Sequence, residues 1–318
     1  MGTVATFQII YAGGGIDNPA ATEAIAGFLA AMRADQAVFT TYDETSAIRK
    51  IARGELSISQ APPEVREVEQ ACRLAKTATQ GRFDAWWKGW FDPTGYVKGW
   101  STERAFHQHL EPLIYDQLPS QGAGSDSDDA SQNENASSGA GAAFGPPAQI
   151  AAVGVNVGGD MQLATRPGSE WVWQVGIASP FDKHRMLAKF SLQDGAVATS
   201  GPGERGEHIF DPKTGKPAAT LDGSEVPAAL QGSTSGTVTP AVIGTTAPDQ
   251  GQSENRNMVA SATVIADNLA MADLWATTAV VAGFDDLGWV KDAGTRSGML
   301  VANDGRVRRW AGPVVLPS

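Results

Sequence analysis

The sequence predicts an α+β protein, a helical N-terminal part packed with a β-rich C-terminal part. Two observations give the class. Apolar residues recur at helical spacing between capping residues through most of the first 118 positions, and short β-branched runs between Gly-rich turns dominate after residue 149. A third observation separates the halves. Residues 119–147 are almost wholly Ser, Gly, Ala, Asp, Asn and Gln, with four acidic residues and no aliphatic side chain larger than alanine, a composition that cannot bury enough surface to order itself.

In order, residues 3–11 alternate like a half-buried strand, and Gly13-Gly14-Gly15 turns the chain into a helix that Asp17 can cap and Pro19 can start. That helix is expected to run to about Arg33. Further helices are expected over 45–53, over 63–77 with an end near Gly81, and over 102–118 with Pro112 as a kink. Strands are expected near 149–157, 171–178, 186–192, 195–199 and 259–265. A second loose insertion covers 221–257. A helix over 268–282 ends at Gly283, and Asn303-Asp304-Gly305 turns a terminal hairpin of 299–302 and 306–310. No fixed-period repeat is visible, which excludes a solenoid, and the two insertions are read as interrupting one domain over 1–318.

The 318 residues, 42% hydrophobic, suffice for a sizeable core. Thirty-five acidic against 24 basic residues, a net charge of -11 and no basic run argue against nucleic acid or an anionic membrane as partner. No stretch reaches the roughly 18 apolar residues of a membrane span. The N-terminus has no basic start followed by an apolar run, so a cytoplasmic location follows by default, a leader already removed being the alternative left open. Cys72 lies on an apolar helical stripe with Val65, Val68 and Ala75 and reads as a packed thiol.

Four motifs carry chemistry. In Ala272-Asp273-Leu274-Trp275-Ala276-Thr277, helical geometry projects the Asp273 carboxylate and the Thr277 hydroxyl from one face, two hard oxygens suited to magnesium with a phosphorylated ligand, or simply a solvated pair. The stretch from Thr199-Ser200-Gly201 through His208-Ile209-Phe210-Asp211-Pro212-Lys213-Thr214-Gly215 offers backbone amides for a phosphate and a histidine able to accept a proton; its bland reading is a pair of hairpin turns. It is neither a Walker loop nor a dinucleotide fingerprint. Asn156-Val157-Gly158-Gly159-Asp160 and Asp92-Pro93-Thr94-Gly95-Tyr96-Val97-Lys98-Gly99-Trp100 are each unremarkable turns taken alone. His107 and His109 face different ways on a helix and His184 lies in a loop, so these read as structural.

Taken together and in order, these blocks, with Met1-Gly2-Thr3, Tyr42 and Ser46, and Gly81-Arg82-Phe83-Asp84, resemble the ApbE-type FAD:protein FMN transferase family over nearly the whole chain. The resemblance implies a flavin site between the helical and β-rich parts. It implies Mg2+ held by Asp273, Thr277 and the Gly95 carbonyl, and FAD as donor, contacted by Met1, Tyr42, Arg82, Phe83, Asp84, Asp92, Lys98, His208, Ile209 and Phe210. Catalysis falls to Asp273, Lys98 and His208, the last as general base. The implied reaction transfers FMN to a Thr or Ser hydroxyl of an acceptor flavoprotein carrying an Asp-x-x-(Ser/Thr)-Gly-Ala-(Ser/Thr)-like motif, with release of AMP. FAD pyrophosphatase activity and flavin binding without catalysis are the alternatives. The chain departs from the family pattern where Asp84 and Asp92 are nearly adjacent, where Asp92-Pro93-Thr94-Gly95 replaces Asp-Leu-Gly-Gly, and where Ala52 stands for Asn. The first departure implies a missing wall segment, within which Trp86, Trp87, Trp90 or Trp100 can either stack on a flavin or simply pack.

Overall fold

A central antiparallel sheet of eight strands organises the chain, and the computed structural model describes it through residues 3–12, 18–115, 149–202, 208–219 and 257–316. Met1, the Gly13-Gly14-Gly15 turn, Asp17, the 119–147 insertion and 221–256 lie outside the described residues. The sheet runs β1 (Ala5–Ala12), β2 (Gln149–Val157), β3 (Asp160–Thr165), β6 (Gly195–Ser200), β7 (Val259–Ala266), β8 (Ser297–Ala302), β9 (Val307–Ala311) and β10 (Val314–Leu316) in spatial order. A separate hairpin, β4 (Trp173–Ala178) and β5 (Met186–Leu192), connects β3 to β6. All pairings are antiparallel.

Strand alternation gives the sheet two covered faces. On one, Val153 and Val155 of β2 pack with Phe28 of α1 (Pro19–Phe39) and with Phe106 and Leu110. Further along that face, Ala198, Ala262 and Val264 pack with Ala272, Trp275 and Ala276 of α5 (Leu269–Ala282). On the other, Leu163, Val197 and Ile265 meet Trp173 and Val175 of the β4–β5 hairpin. A helical cluster of α2 (Ala47–Ala52), α3 (Pro63–Ala78) and α4 (Thr94–Ala105) surrounds buried Ile48, Val65, Val68, Cys72 and Trp100 and joins α5 through Ala270 and Leu274. Burial pushes the Cys72 thiol far up, as an inert packed cysteine requires.

Several boundaries differ from those the sequence predicts. Asn18 caps α1, its side chain accepting from the Ala20 and Ala21 amides, with Pro19 as first helical residue. That helix continues past Arg33 to Phe39, because nothing after Arg33 breaks it and buried Asp35 accepts from Ser101 Oγ at 2.6 Å and pairs with Arg104. The largest correction is α4. It begins at Thr94, not near 102, and its continuation is a π-turn over Phe106–Leu110 and a 3-10 turn over Glu111–Ile114 that Pro112 enters near its start. Asp92 explains the start: its Oδ1 accepts from the Thr94 amide at 3.2 Å and hydroxyl at 2.6 Å, satisfying donors that the helix leaves open. The short strands β3 and β10 are additions to the expected set. Among the described residues no helix is long and apolar enough to cross a membrane.

Candidate active site

A cleft of about 1110 Å³ opens between the helical layer, the ends of β3, β6 and β7, and the β4–β5 hairpin. Its floor depends on a close helix crossing. A methyl group on Gly99 of α4 would stand 2.9 Å from the Leu269 carbonyl oxygen and 3.0 Å from Asp273 Cβ, so only glycine lets α4 and α5 approach this nearly. The crossing sets Lys98 beside Asp273, with Nζ 3.5 Å from Oδ1.

The same ammonium pairs with Asp160. Asp160 reaches it through a tight turn: Gly158 and Gly159 have φ of 62° and 97°, the left-handed pair that a two-residue hairpin needs, and Asn156 Oδ1 accepts from the Gly159 amide at 2.9 Å. The turn ends at Asp160, which is 1% exposed and whose Oδ1 accepts from the Thr199 amide at 3.1 Å. Burial pushes the Asp160 carboxyl up to about 7; the neighbouring Asp273 charge adds to this and Lys98 opposes it. One lysine thus stands between two buried carboxylates.

Thr277, one turn after Asp273 on α5, lines the cleft and shares a hydrogen bond of 3.1 Å with Ser200 Oγ. Asn268 caps that helix through the Met271 amide, and Gly283 ends it at φ 84°. Gly95 lies in the first turn of α4 rather than in a turn between elements. An α-helical carbonyl there is directed to the amide four residues on, leaving a second lone pair for any further ligand.

The outer wall comes from the Gly81-to-Asp92 stretch. Arg82 pairs with Asp286, Asp84 with Lys76 at 2.7 Å, and Asp92 with Lys88 at 2.9 Å, so each charged contact residue expected here is already held by a charge partner. The Phe83 amide donates to Thr79 Oγ1 at 3.0 Å. Opposite, His208, Ile209 and Phe210 line the cleft, their strand fixed by the Phe210–Pro217 bridge and by Asp211, which accepts from the Lys213 amide and Thr214 hydroxyl. Trp87 stacks on Phe210, centroids 5.4 Å apart and planes 23° from parallel. Tyr42 stands at the rim, 99% exposed.

Every residue to which the resemblance gives a metal, donor-binding or catalytic role, apart from Met1 outside the described residues, borders this one cleft: Tyr42, Arg82, Phe83, Asp84, Asp92, Gly95, Lys98, His208, Ile209, Phe210, Asp273 and Thr277. Two contributors carry no site role in the sequence reading. Asp160 belongs to a singled-out turn, but only the fold puts its carboxylate on Lys98. The β4–β5 hairpin supplies Val175 through Pro180 and Lys183 as a wall. Its alternating strands are legible in the sequence, whereas the face they cover is not. Of the four tryptophans near the shortened stretch, Trp87 alone lines the cleft; Trp86 packs on Phe91, and Trp100 on Phe39.

The ApbE family model matches residues 142–231, a segment that takes in the Gly158-Gly159 turn, Asp160, Thr199 to Gly201 and the His208 strand. Three solved structures share the whole architecture. An ApbE protein from Thermotoga maritima aligns with a TM-score of 0.62 at 19% identity, covering 96% of each chain. The chain has the ApbE fold. The flavin transferase ApbE from Vibrio cholerae aligns at 0.55 and 14% identity over 98% of this chain and 96% of that one. The apo flavinyl transferase ApbE from Pseudomonas stutzeri aligns at 0.56 and 15% over 97% and 94%. No curated protein matches by sequence. The helical part and the sheet-rich part meet as in these ApbE structures, with the cleft between them.

Proposed function

We propose that this chain transfers FMN from FAD to a Ser or Thr hydroxyl of another protein and releases AMP. The observation that carries the reading is the arrangement of Lys98, Asp273 and Thr277 at the floor of a cleft, with Asp160 buried against Lys98, in an ApbE fold, two of whose structural neighbours are named as flavin or flavinyl transferases.

The donor set fits magnesium. Asp273 and Thr277 present hard oxygens to the cleft, and the Gly95 carbonyl keeps a lone pair. Among the described residues no three His, Cys, Asp or Glu side chains gather as a metal cage. When bound, the ion would neutralise pyrophosphate charge. The chain's own residues do the rest. Lys98 supplies a fixed positive charge beside the pyrophosphate, kept in place by Asp160 and Asp273. Arg82, Asp84, Asp92, Tyr42 and the Ile209–Phe210 strand bind the donor, and the Trp87–Phe210 stack offers it an aromatic surface. His208 takes the proton of the acceptor hydroxyl as that oxygen bonds to the phosphorus on the riboflavin side. The bond from that phosphorus to the bridging oxygen breaks, and the electron pair leaves with AMP.

One incubation tests the reading: protein, FAD and magnesium, with and without a flavoprotein bearing the Asp-x-x-(Ser/Thr)-Gly-Ala-(Ser/Thr)-like motif, followed by in-gel flavin fluorescence and nucleotide chromatography. Covalent flavin on the acceptor with equimolar AMP is expected. FMN and AMP in solution with no labelled acceptor would make the chain a pyrophosphatase, and unchanged FAD would make it a binding protein. Asp273→Ala should abolish transfer, and His208→Ala should slow it by about 10²–10⁴; full activity in the His208 variant removes the base role.

A further inference from the structure

A second cleft of about 410 Å³ lies at the opposite end of β3 and shares no lining residue with the first. Its walls come from the turns after α4, bearing His107, Glu111 and Tyr115, and from the sheet, bearing Gln162 and Arg166. Arg166 is 6% exposed. Its backbone is tied on both sides, the amide donating to the Ala151 carbonyl at 2.8 Å and the carbonyl accepting from the Ser169 amide at 3.0 Å. Its Nε donates to the Ile150 carbonyl at 3.0 Å. Both terminal guanidinium nitrogens are buried and have no acceptor among the described residues.

A guanidinium cannot discharge itself by losing a proton, so a buried one without an acceptor is a strongly unfavourable arrangement unless something completes it. The carboxylates around the cleft do not. Glu111 is held by His107 Nδ1 at 2.6 Å, and Asp194 and Asp267 are both held by Arg296, at 2.8 and 2.5 Å. No ion pair reaches Arg166 among the described residues. Gln162, four residues earlier on the same face of the sheet, also leaves its buried Oε1 without a partner. The cleft is thus polar; Gln162 Oε1, an acceptor, contributes nothing to an anion, and it is the pinned Arg166 fork that has the shape to take two oxygens of one anion.

We propose that Arg166 is the anchor of a second ligand site, separate from the large cleft, for a small oxyanion of phosphate or carboxylate type. The two terminal nitrogens donate in parallel to two oxygens of the ligand. The claim does not depend on the flavin reading.

Calorimetric titration of the full chain with inorganic phosphate, and separately with acetate, tests it in the wild type, Arg166→Gln, Arg166→Lys and Lys98→Gln. Saturable binding of one or both anions is expected in the wild type and in Lys98→Gln, whose lost cation belongs to the large cleft. Affinity should fall at least tenfold in Arg166→Lys, which keeps the charge and loses the fork, and further in Arg166→Gln. Phosphate bound and acetate refused assigns a tetrahedral ligand; the reverse assigns a carboxylate. No saturable binding, or binding unchanged in the Arg166 variants, overturns the site. Should Arg166→Gln fail to fold, a crystal of the wild type soaked in selenate decides: anomalous density at the Arg166 guanidinium supports the proposal, and water alone at that position overturns it.

Discussion

Asp160→Asn should change how stability depends on pH, by an amount the site itself supplies. The wild-type carboxyl is pushed up to about 7 from an ordinary 3.8, chiefly by burial. At 1.36 kcal/mol per pH unit the interval corresponds to about 4 kcal/mol. Between those two values the folded chain keeps a proton that the unfolded chain has released, so the carboxyl weakens the fold progressively as pH rises from about 4, with the full penalty present above about 7. Asparagine does not titrate, yet its Oδ1 can still accept from the Thr199 amide that Asp160 holds at 3.1 Å. Groups far from Asp160 titrate equally in both proteins and drop out of the difference, whereas Asp273 and Lys98 stay in it as its neighbours. Urea unfolding of both proteins at pH 5, 6, 7 and 8, followed through the intrinsic fluorescence of the nine tryptophans, measures it. The stability of the wild type minus that of the variant should fall by a few kcal/mol across the series. A flat difference would refute the argument, because Lys98 would then be holding Asp160 ionised throughout.

Gly99→Ala should force α4 and α5 apart, since the new methyl would stand 2.9 Å from the Leu269 carbonyl oxygen; about 1–3 kcal/mol of stability is at stake, read from the urea midpoint. Transfer activity should drop more than the midpoint suggests, because the same step moves Lys98 off Asp273, and a stable, fully active variant would show that the crossing does not set the site. Trp87→Ala should remove the stack on Phe210 and weaken FAD binding by about tenfold in a fluorescence titration, in line with the roughly 0.5–1.5 kcal/mol of an aromatic pair. Unchanged affinity would leave that stack as packing alone.

The features legible in the sequence are those in which local geometry already does the work. Asp273 and Thr277 are brought together by helical pitch alone, and the Gly158-Gly159 pair announces a turn that only positive φ allows. The hairpin strands and the Gly283 helix end are local in the same sense. What the sequence hides is decided between elements. Gly95 and Gly99 lower helix propensity and make the start of α4 read as a turn, although Gly99 is there because another helix passes at contact distance. The short β3 is hidden for a related reason: Asp160 and Gln162 both point to a buried face and break the alternation that marks a strand. Thr165-Arg166-Pro167-Gly168 likewise reads as an ordinary surface turn, since nothing local signals that the Arg166 side chain folds inward under the Ile150 carbonyl. The buried charges at both ends of β3 share this property. Polar residues normally mark a strand's exposed face, so a strand that turns Asp160 and Gln162 inward, with Arg166 buried just beyond its end, loses its pattern beside its two clefts. On this strand, failure of the sequence pattern and placement of the chemistry have a single cause.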